Sequence, residues 1–137
     1  MTEHAEQCAV MDWVHANTAR LPGLALIHSS LNGAHLQGDK RQRVRQVNKH
    51  KRAGMLPGVA DLFLPVARGG FFGMFIEMKR AKGGKLSENQ TWFLSQVCSQ
   101  GYYDCVAHGA EQAIAQLEWY MGLPPTEIVK HVPRKDD

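Results

Sequence analysis

GMLPGVADLFLPVARGGFFGMFIEMK, residues 54–79, is the stretch that decides the fold. Its two apolar runs flank Gly69 and Gly70, a pattern that predicts two short strands joined by a tight turn. In the second run, apolar residues at even positions alternate with a set that ends in Glu77 and Lys79. Because side chains alternate between the two faces of a strand, Glu77 and Lys79 share one face. The stretch therefore predicts a β-hairpin with charged groups at its end.

The register of this hairpin decides whether a further carboxylate, Asp61, joins the charged pair. If the two glycines formed a strict two-residue loop, Asp61 would lie opposite Met78, on the wrong face. Directly opposed residues share a face, so Asp61 must lie opposite Glu77 or Lys79 to reach them. We therefore predict an odd-length loop or a β-bulge, and Pro65 in the first strand favours such an irregularity.

These residue types suit the chemistry of a metal beside a phosphate. The carboxylates of Asp61 and Glu77 and the carbonyl of Met78 are ligands that the hard cations Mg²⁺ and Mn²⁺ prefer. Lys79 could orient or help deprotonate a water and offset phosphate charge. A metal and an ammonium together form a workable arrangement for phosphodiester hydrolysis. An exposed strand end with an ordinary Asp–Lys or Glu–Lys pair is the alternative that these residues alone leave open.

A cationic run precedes the hairpin. DKRQRVRQVNKHKRA, residues 39–53, contains no Pro or Gly and is followed by Gly54, so it predicts a helix with a glycine at its end. Seven of the sixteen Lys and Arg of the chain lie in this run, although the net charge is only +3. We predict that it binds DNA phosphates together with the AKGGK loop at residues 81–85. The predicted DNA-binding residues are Lys40, Arg41, Arg43, Arg45, Lys49, Lys51, Arg52, Lys82 and Lys85. A solvated helix is the alternative.

The first helix carries an unusual carboxylate. Residues 3–18 predict a helix with Thr2 as N-cap, and Glu6 lies four residues before Val10 on its mainly apolar face. Glu3 would lie closer to the rim. A carboxylate on an inward face needs a partner, which the sequence leaves open as either a Lys or Arg side chain or a metal ion.

The remaining segments complete an alternating pattern. Residues 24–29 predict a strand, Asn32 and Gly33 a turn, and His28 and His35 are interpreted as structural or surface groups. Residues 87–100 predict a helix that opens with a Ser-x-x-Gln capping box, residues 102–107 a strand, and residues 110–121 an amphipathic helix. The order predicts an α/β domain with a mixed sheet flanked by helices.

Composition limits the protein class. The 137 residues predict one domain over residues 1–123, followed by a polar tail over residues 124–137 that we expect to be mobile. No apolar run approaches a membrane span, and the N-terminus lacks the features of a signal peptide. The three cysteines form no CxxC pair, which disfavours a zinc finger or a disulfide framework and fits the cytoplasm.

The joint set of motifs resembles a known family. The acidic first helix, the Asn-Gly turn, GxxDLFLPVxRGG, FIEMKR, LSxxQ and a following GY look like the VRR-NUC (virus-type replication-repair nuclease) domain of the PD-(D/E)xK nucleases, with their restriction-endonuclease-like core. The resemblance covers most of residues 3–121. It implies that Asp61, Glu77 and Lys79 are catalytic, that Glu6 completes the metal site, and that Gln90 lies near Lys79 and the substrate.

The resemblance also implies a substrate and an assembly. Stand-alone members are similar to phage-encoded homodimers that act on branched DNA such as four-way junctions, in the host cytoplasm. The expected function is a Mg²⁺- or Mn²⁺-dependent, structure-specific DNA endonuclease. The alternative is a non-catalytic DNA-binding or phage assembly protein that uses the basic helix 39–53. One departure is Ala60, where family members often have Pro directly before the catalytic Asp.

Overall fold

A four-stranded sheet with helices on both faces forms the fold of a computed structural model that describes residues 1–30, 37–128 and 132–136. Its helices are α1 (Glu3–Asn17), α2 (Lys40–Arg52), α3 (Glu88–Ser99) and α4 (Ala110–Met121). Its strands are β1 (His28–Ser29), β2 (Leu62–Leu64), β3 (Met74–Lys79) and β4 (Tyr103–His108). The strands lie in the order β1-β2-β3-β4, and only β3 and β4 are parallel. The predicted α/β class and mixed sheet are confirmed.

The β2–β3 hairpin turns tightly at its glycines. Arg68 pairs with Phe71 across the tip, and the Phe71 amide donates to the Arg68 carbonyl at 2.8 Å. Gly69 and Gly70 have φ values of +60° and +91°, which L-residues with a Cβ rarely adopt. The glycine pair therefore forms the tight turn that the sequence predicts.

Between this tip and the strands, the hairpin contains a bulge. Leu64 pairs with Met74 at the end of the ladder, so three residues, 65–67, face only two, 72 and 73. The extra residue lies on the first strand, beside Pro65, which cannot donate a ladder hydrogen bond. The predicted irregularity is thus present, at the predicted proline.

The bulge sets the register that the charged residues require. Leu62 pairs with Ile76, and continuing that antiparallel ladder by one position brings Asp61 opposite Glu77. Without the extra residue Asp61 would lie opposite Met78. Asp61 and Glu77 therefore share one face of the sheet, at the end of the hairpin farthest from the turn.

The two faces of β3 differ in what covers them. Met74, Ile76 and Met78 are fully buried in a core built with α1 and α4. The other face carries Phe75, Glu77 and Lys79, and α3 packs there through a smaller cluster of Ala60, Phe93 and Leu94. Glu77 and Lys79 thus lie beneath α3, and Ala60 is buried as a small core residue.

The strand predicted for residues 24–29 is wrong over most of its length. Pro22–Leu26 forms a 3₁₀ helix in which the amides of Leu24 and Ile27 bond three residues back, and β1 comprises two residues only. Pro22 favours this start because its φ is already helical and it has no amide to satisfy. Leu24 is fully buried, so its apolar side chain is explained by burial in the core and does not indicate a strand. His28 is exposed, whereas His35 and the Asn32–Gly33 turn lie outside the described residues.

The helix termini follow the predicted caps. The Thr2 hydroxyl accepts from the Ala5 amide at 3.0 Å, and Ser87 forms a capping box with Gln90. A second capping box, between Asp39 and Gln42, opens α2 and was not predicted. These side chains satisfy amides that have no partner within their own helix.

The first residues of the predicted tail pack against the hairpin turn. The Pro124 carbonyl accepts from the Gly69 amide at 2.7 Å, and the Thr126 hydroxyl accepts from Gly70 at 3.0 Å and donates to Phe71 at 2.7 Å. Residues 129–131 and 137 lie outside the described residues, and mobility of the tail stays a prediction. In the part of the chain that is described, no helix is long and apolar enough to cross a membrane.

Candidate active site

Asp61 is fixed by bonds on two sides. Its carbonyl accepts from the Ser30 amide at 2.9 Å, and its Oδ2 accepts from the Met78 amide at 2.7 Å. The amide and carbonyl of one strand residue point to the same side, so the Met78 carbonyl is directed towards Asp61 as well. Asp61 and this carbonyl therefore lie together at the end of β2.

A short network joins Glu77, Lys79 and Gln90. The Gln90 amide nitrogen donates to Glu77 Oε1 at 2.8 Å, and its Oε1 accepts from Lys79 Nζ at 3.0 Å. The Lys79 ammonium lies 3.7 Å from Glu77 Oε1. Gln90 Oε1 also accepts from the Ser87 amide at 2.9 Å. Gln90 therefore caps α3 and holds both charged groups of β3.

Glu77 is buried with one oxygen unsatisfied. Its side chain belongs to a residue only 2% exposed, and among the described residues no group donates a hydrogen bond to its Oε2. Burial and the nearby charge of Asp61 raise the pKa of Glu77 to about 8, against the opposing effect of Lys79. Burial also raises the pKa of Asp61. Two crowded carboxylates with an unpartnered oxygen are costly unless a proton or a cation joins them.

The loop before Asp61 is held against the helix that carries Gln90. Gly58 has a φ of +91°, and a Cβ placed there would lie 2.4 Å from the Asn89 carbonyl group. Only glycine allows this close approach. The packing couples the position of Asp61 to that of Gln90.

An open cavity of about 450 Å³ brings these groups together. Its lining includes Asp61, Glu77 and Gln90 from the network, and Val47 and Lys51 from α2. The other lining residues are Glu3, Met55, Pro57, Gly58, Val59, Ser87 and Asn89. The cavity is therefore bounded by the hairpin end, the start of α3 and one side of the basic helix.

Glu6 has a different partner in the structure, and metal binding by Glu6 stays a prediction. It is 8% exposed, as its inward position implies, but its Oε2 accepts from the Ala110 amide at the start of α4. Gly109 at that start has no side chain to act as a cap. Glu6 does not line the cavity, and neither do the predicted site residues Met78 and Lys79. Its partner is thus a helix N-terminus, an alternative to the cation or metal partner that the sequence left open.

Glu3, one turn before Glu6, reaches the cavity instead. It lines the cavity with Asp61 and Glu77, and its negative charge contributes to the raised pKa of Asp61. The sequence placed Glu3 at the rim of α1, and periodicity gave preference to the more inward Glu6. The available signal was its position in the first turn, beyond the core contacts made by Val10 and Val14.

The predicted DNA-binding residues occupy two segments. Helix α2 has no buried residue, and of its cations Lys51 lines the cavity. Lys82 and Lys85 are exposed on the connection between β3 and α3. The exposed Lys51 on the wall of a carboxylate-lined cavity suits a polyanion whose backbone is to reach that cavity.

The donors at the hairpin end fit a hard divalent cation. Asp61, Glu77 Oε2 and the Met78 carbonyl are oxygen ligands, and a cation would relieve both the unsatisfied oxygen and the carboxylate repulsion. Within the described residues, however, no three His, Cys, Asp or Glu side chains already surround a metal-sized space. The fit therefore rests on a mixed set of carboxylate and carbonyl oxygens, with water completing it.

Comparisons with known proteins agree on one family. The model of the VRR-NUC domain family matches residues 1–111. A solved structure described as a "VRR_NUC domain protein" is 25% identical to this chain, covering 96% of it and 98% of that chain with a TM-score of 0.74. No match was found among curated proteins. The mixed sheet and its helices fit the restriction-endonuclease-like fold. The chain belongs to the VRR-NUC family, and this membership implies a nuclease-type function.

Proposed function

We propose that this protein is a Mg²⁺- or Mn²⁺-dependent DNA endonuclease that hydrolyses phosphodiester bonds in branched DNA. The observation that carries the proposal is the unsatisfied, buried Glu77 Oε2 beside Asp61, in a cavity shared with Gln90 and flanked by Lys51. Packing alone gives no reason to crowd two carboxylates there. Phosphodiester hydrolysis at a metal explains the paired carboxylates, because it needs oxygen ligands next to a place for a phosphate.

The metal would be held by Asp61, Glu77 and the Met78 carbonyl, with Glu3 as the additional carboxylate at the cavity. A bound Mg²⁺ or Mn²⁺ would acidify water and supply positive charge against the anionic transition state. The raised pKa of Glu77, about 8, means that binding must displace a proton at neutral pH.

Lys79 provides the second positive charge of the site. One of its three N–H donors is directed at Gln90 Oε1, at 3.0 Å, which fixes the ammonium beside Glu77. The other two can bind a phosphate oxygen and orient the attacking water. Gln90 keeps this geometry from two directions, because it also donates to Glu77 at 2.8 Å.

The basic helix supports DNA as the substrate. Lys51 lies on the cavity wall, so a strand that contacts α2 can continue to Asp61 and Glu77. We further propose a homodimer, because a symmetric four-way junction requires two cuts and a twofold protein presents two sites.

A cleavage assay on matched substrates tests this function. We expect a labelled four-way junction to be cut with Mg²⁺ or Mn²⁺ and not with EDTA, and a linear duplex of the same arms to be cut more slowly. A protein that binds the junction but cuts no DNA with any divalent metal would contradict the proposal. That result would favour the second candidate, a non-catalytic DNA-binding protein, which the exposed cationic α2 alone supports.

Single substitutions of the two α1 carboxylates, Glu3 and Glu6, separate metal binding from folding. Glu6→Ala removes the acceptor of the Ala110 amide and is expected to lower the free energy of unfolding by roughly 1–2 kcal/mol, as for loss of a helix cap. Glu3→Gln is expected to weaken Mn²⁺ binding by about tenfold or more and to leave stability nearly unchanged. Thermal denaturation in EDTA and calorimetric Mn²⁺ titration measure the two effects. Weaker Mn²⁺ binding in Glu6→Ala alone would restore Glu6 as the ligand.

A further inference from the structure

Helix α2 has two cationic sides that face different surroundings. Val47 and Lys51 line the active-site cavity, and with Lys40, Arg43 and Val44 they also surround a shallow groove along the same side of the helix. We call these five residues the inner face. At 3.6 residues per turn, another set lies roughly 135° around the helix from Val47 and Lys51. We call this set the outer stripe: Arg41, Arg45, Lys49 and Arg52.

The outer stripe has no role in folding that its contacts reveal. All four residues are exposed, and none forms a salt bridge with any other described residue. Arg41, Arg45 and Lys49 follow one another at intervals of four, where like charges repel and destabilise a helix. No acidic residue lies within Lys40–Arg52 to offset them. Lys49 and Arg52 lie in the last turn, where cations favour the helix, but the repulsion along Arg41, Arg45 and Lys49 is a cost that an anionic partner would offset.

The dimensions of α2 place that partner apart from the strand being cut. Arg41 and Arg52 are separated by about 16 Å along the helix at 1.5 Å per residue, close to five base-pair steps of one DNA strand. The helix is about 10–12 Å across, and it stands between the outer stripe and the cavity. A DNA segment bound along the outer stripe is thus separated by the helix from a strand that follows Lys51 into the cavity.

We propose that the outer stripe binds a second duplex arm of a branched DNA while the inner face guides the strand to be cut. The inference rests on the proposed DNA substrate and gives it a physical basis for branch selectivity. Near a branch point, two duplex arms diverge, so α2 can lie between them and contact both. A single straight duplex offers both faces their contacts only if α2 enters its major groove, which is about 12 Å wide.

Matched triple variants test the two faces. The outer variant is Arg41→Gln, Arg45→Gln and Lys49→Gln, and the inner variant is Lys40→Gln, Arg43→Gln and Lys51→Gln, so each loses three charges. Binding to a four-way junction and to a linear duplex is measured by fluorescence anisotropy in EDTA between about 50 and 200 mM salt. Circular dichroism checks that both variants keep α2.

The outer substitutions should weaken binding to branched DNA more than binding to linear DNA. For the junction, the slope of log affinity against log salt concentration should become less steep by about 2.7. Each lost phosphate contact accounts for about 0.9 of this change. The slope for the linear duplex should fall by much less, so the junction-to-linear affinity ratio should move towards one. The inner variant should bind both substrates more weakly and keep the junction-to-linear affinity ratio of the wild type.

Two results would overturn the inference. If the outer variant flattened both slopes equally, α2 would lie in the groove of one duplex. If the slope for the junction were unchanged, the stripe would be a solvated surface. Both readings are independent of cleavage, because they are made in EDTA. A failure of the nuclease proposal would instead appear as junction binding without cleavage in any divalent metal.

Discussion

Glu77→Gln is expected to reduce DNA cleavage by about 10³-fold, equivalent to about 4 kcal/mol of barrier, and to make the metal-free protein more stable at pH 8. The loss of activity follows because glutamine cannot replace the charge of a carboxylate ligand at the cavity. Glutamine has nearly the same shape, and its oxygen can still accept from the Gln90 amide that Glu77 accepts at 2.8 Å. Folding and the α3 contact should therefore be kept.

The stability gain follows from the raised pKa of Glu77. Its folded value of about 8 lies above the ordinary carboxyl value of 4.5, so between these pH values the folded protein binds a proton that the unfolded chain does not. The free energy of unfolding of the wild type should fall as pH rises from 4.5 to about 8. The free energy of unfolding should fall by at most about 1.4 kcal/mol per pH unit. Water that enters the cavity makes the decrease smaller.

Denaturant unfolding in EDTA at several pH values measures this difference. The two proteins should have similar stability near pH 5, where Glu77 is protonated, and should diverge towards pH 8. Asp61 has a raised pKa too, so some decline should persist in the variant. Parallel pH profiles would show that Glu77 ionises as an ordinary surface carboxylate, and would contradict the buried acid pair.

The hairpin is where sequence reasoning was most informative. The requirement that Asp61 share a face with Glu77 predicted an irregularity, and the structure has it beside Pro65. This worked because strand side chains alternate with a period of two, so one inserted residue changes the face of all that follow. The chemistry of the site and the geometry of the backbone thus constrain each other in this hairpin.

The carboxylates of α1 show a limit of sequence reasoning. Helical periodicity placed Glu6 inward correctly, and it is 8% exposed. Periodicity does not state what an inward side chain will meet, however. The answer depends on how α1 packs against the start of α4, a contact between segments about 100 residues apart in sequence, where Ala110 supplies the amide. A local pattern cannot contain that information.

The residues 24–29 illustrate a second limit. A short apolar run is compatible with a buried strand or with a buried turn of helix, and length alone does not separate them. Here Pro22 favoured the 3₁₀ turn, and Leu24 was apolar because it is fully buried in the core. The strand that remained, His28–Ser29, is long enough to pair with β2 and to support Asp61 through Ser30.

Gln90 shows why structural and functional interpretations need not compete. The sequence explained it as the last residue of a capping box, and the structure has that box. The same side chain also bonds Lys79 and Glu77. Because the cap fixes the backbone and one oxygen of Gln90, its remaining contacts are directed with little freedom. Helix capping is therefore the means by which the site is positioned.

Lys79→Met is expected to lower the rate of cleavage by about 10²- to 10⁴-fold while Mn²⁺ affinity changes by less than about tenfold. Loss of the ammonium raises the pKa of Glu77 further but also removes its repulsion of the cation, and these two effects on affinity oppose each other. Methionine has a similar length and suits a residue that is only 6% exposed, so the fold should be kept. The variant removes the ammonium and leaves the oxygen ligands of Asp61 and Glu77 in place. In Lys79→Met, the single-turnover cleavage rate should therefore fall far more than the Mn²⁺ affinity measured by calorimetry. In Glu77→Gln, both the rate and the affinity should fall. A cleavage loss that merely matched a loss of Mn²⁺ affinity would remove Lys79 from the chemistry.

The partner variant Gln90→Met distinguishes positioning from direct action. It should slow cleavage by about 10- to 100-fold, because Lys79 and Glu77 lose a shared anchor, and should cost roughly 1 kcal/mol of stability through the lost capping box. If Gln90 acts through Lys79, the double variant should cleave no more slowly than Lys79→Met alone, since an absent ammonium needs no orientation. Additive losses in the double variant would instead mean that Gln90 acts independently of Lys79, either through Glu77, to which it donates, or on the substrate. The cavity allows that second outcome, because Gln90 lines it together with Asp61. The cycle therefore decides whether the capping glutamine acts through the lysine or independently of it.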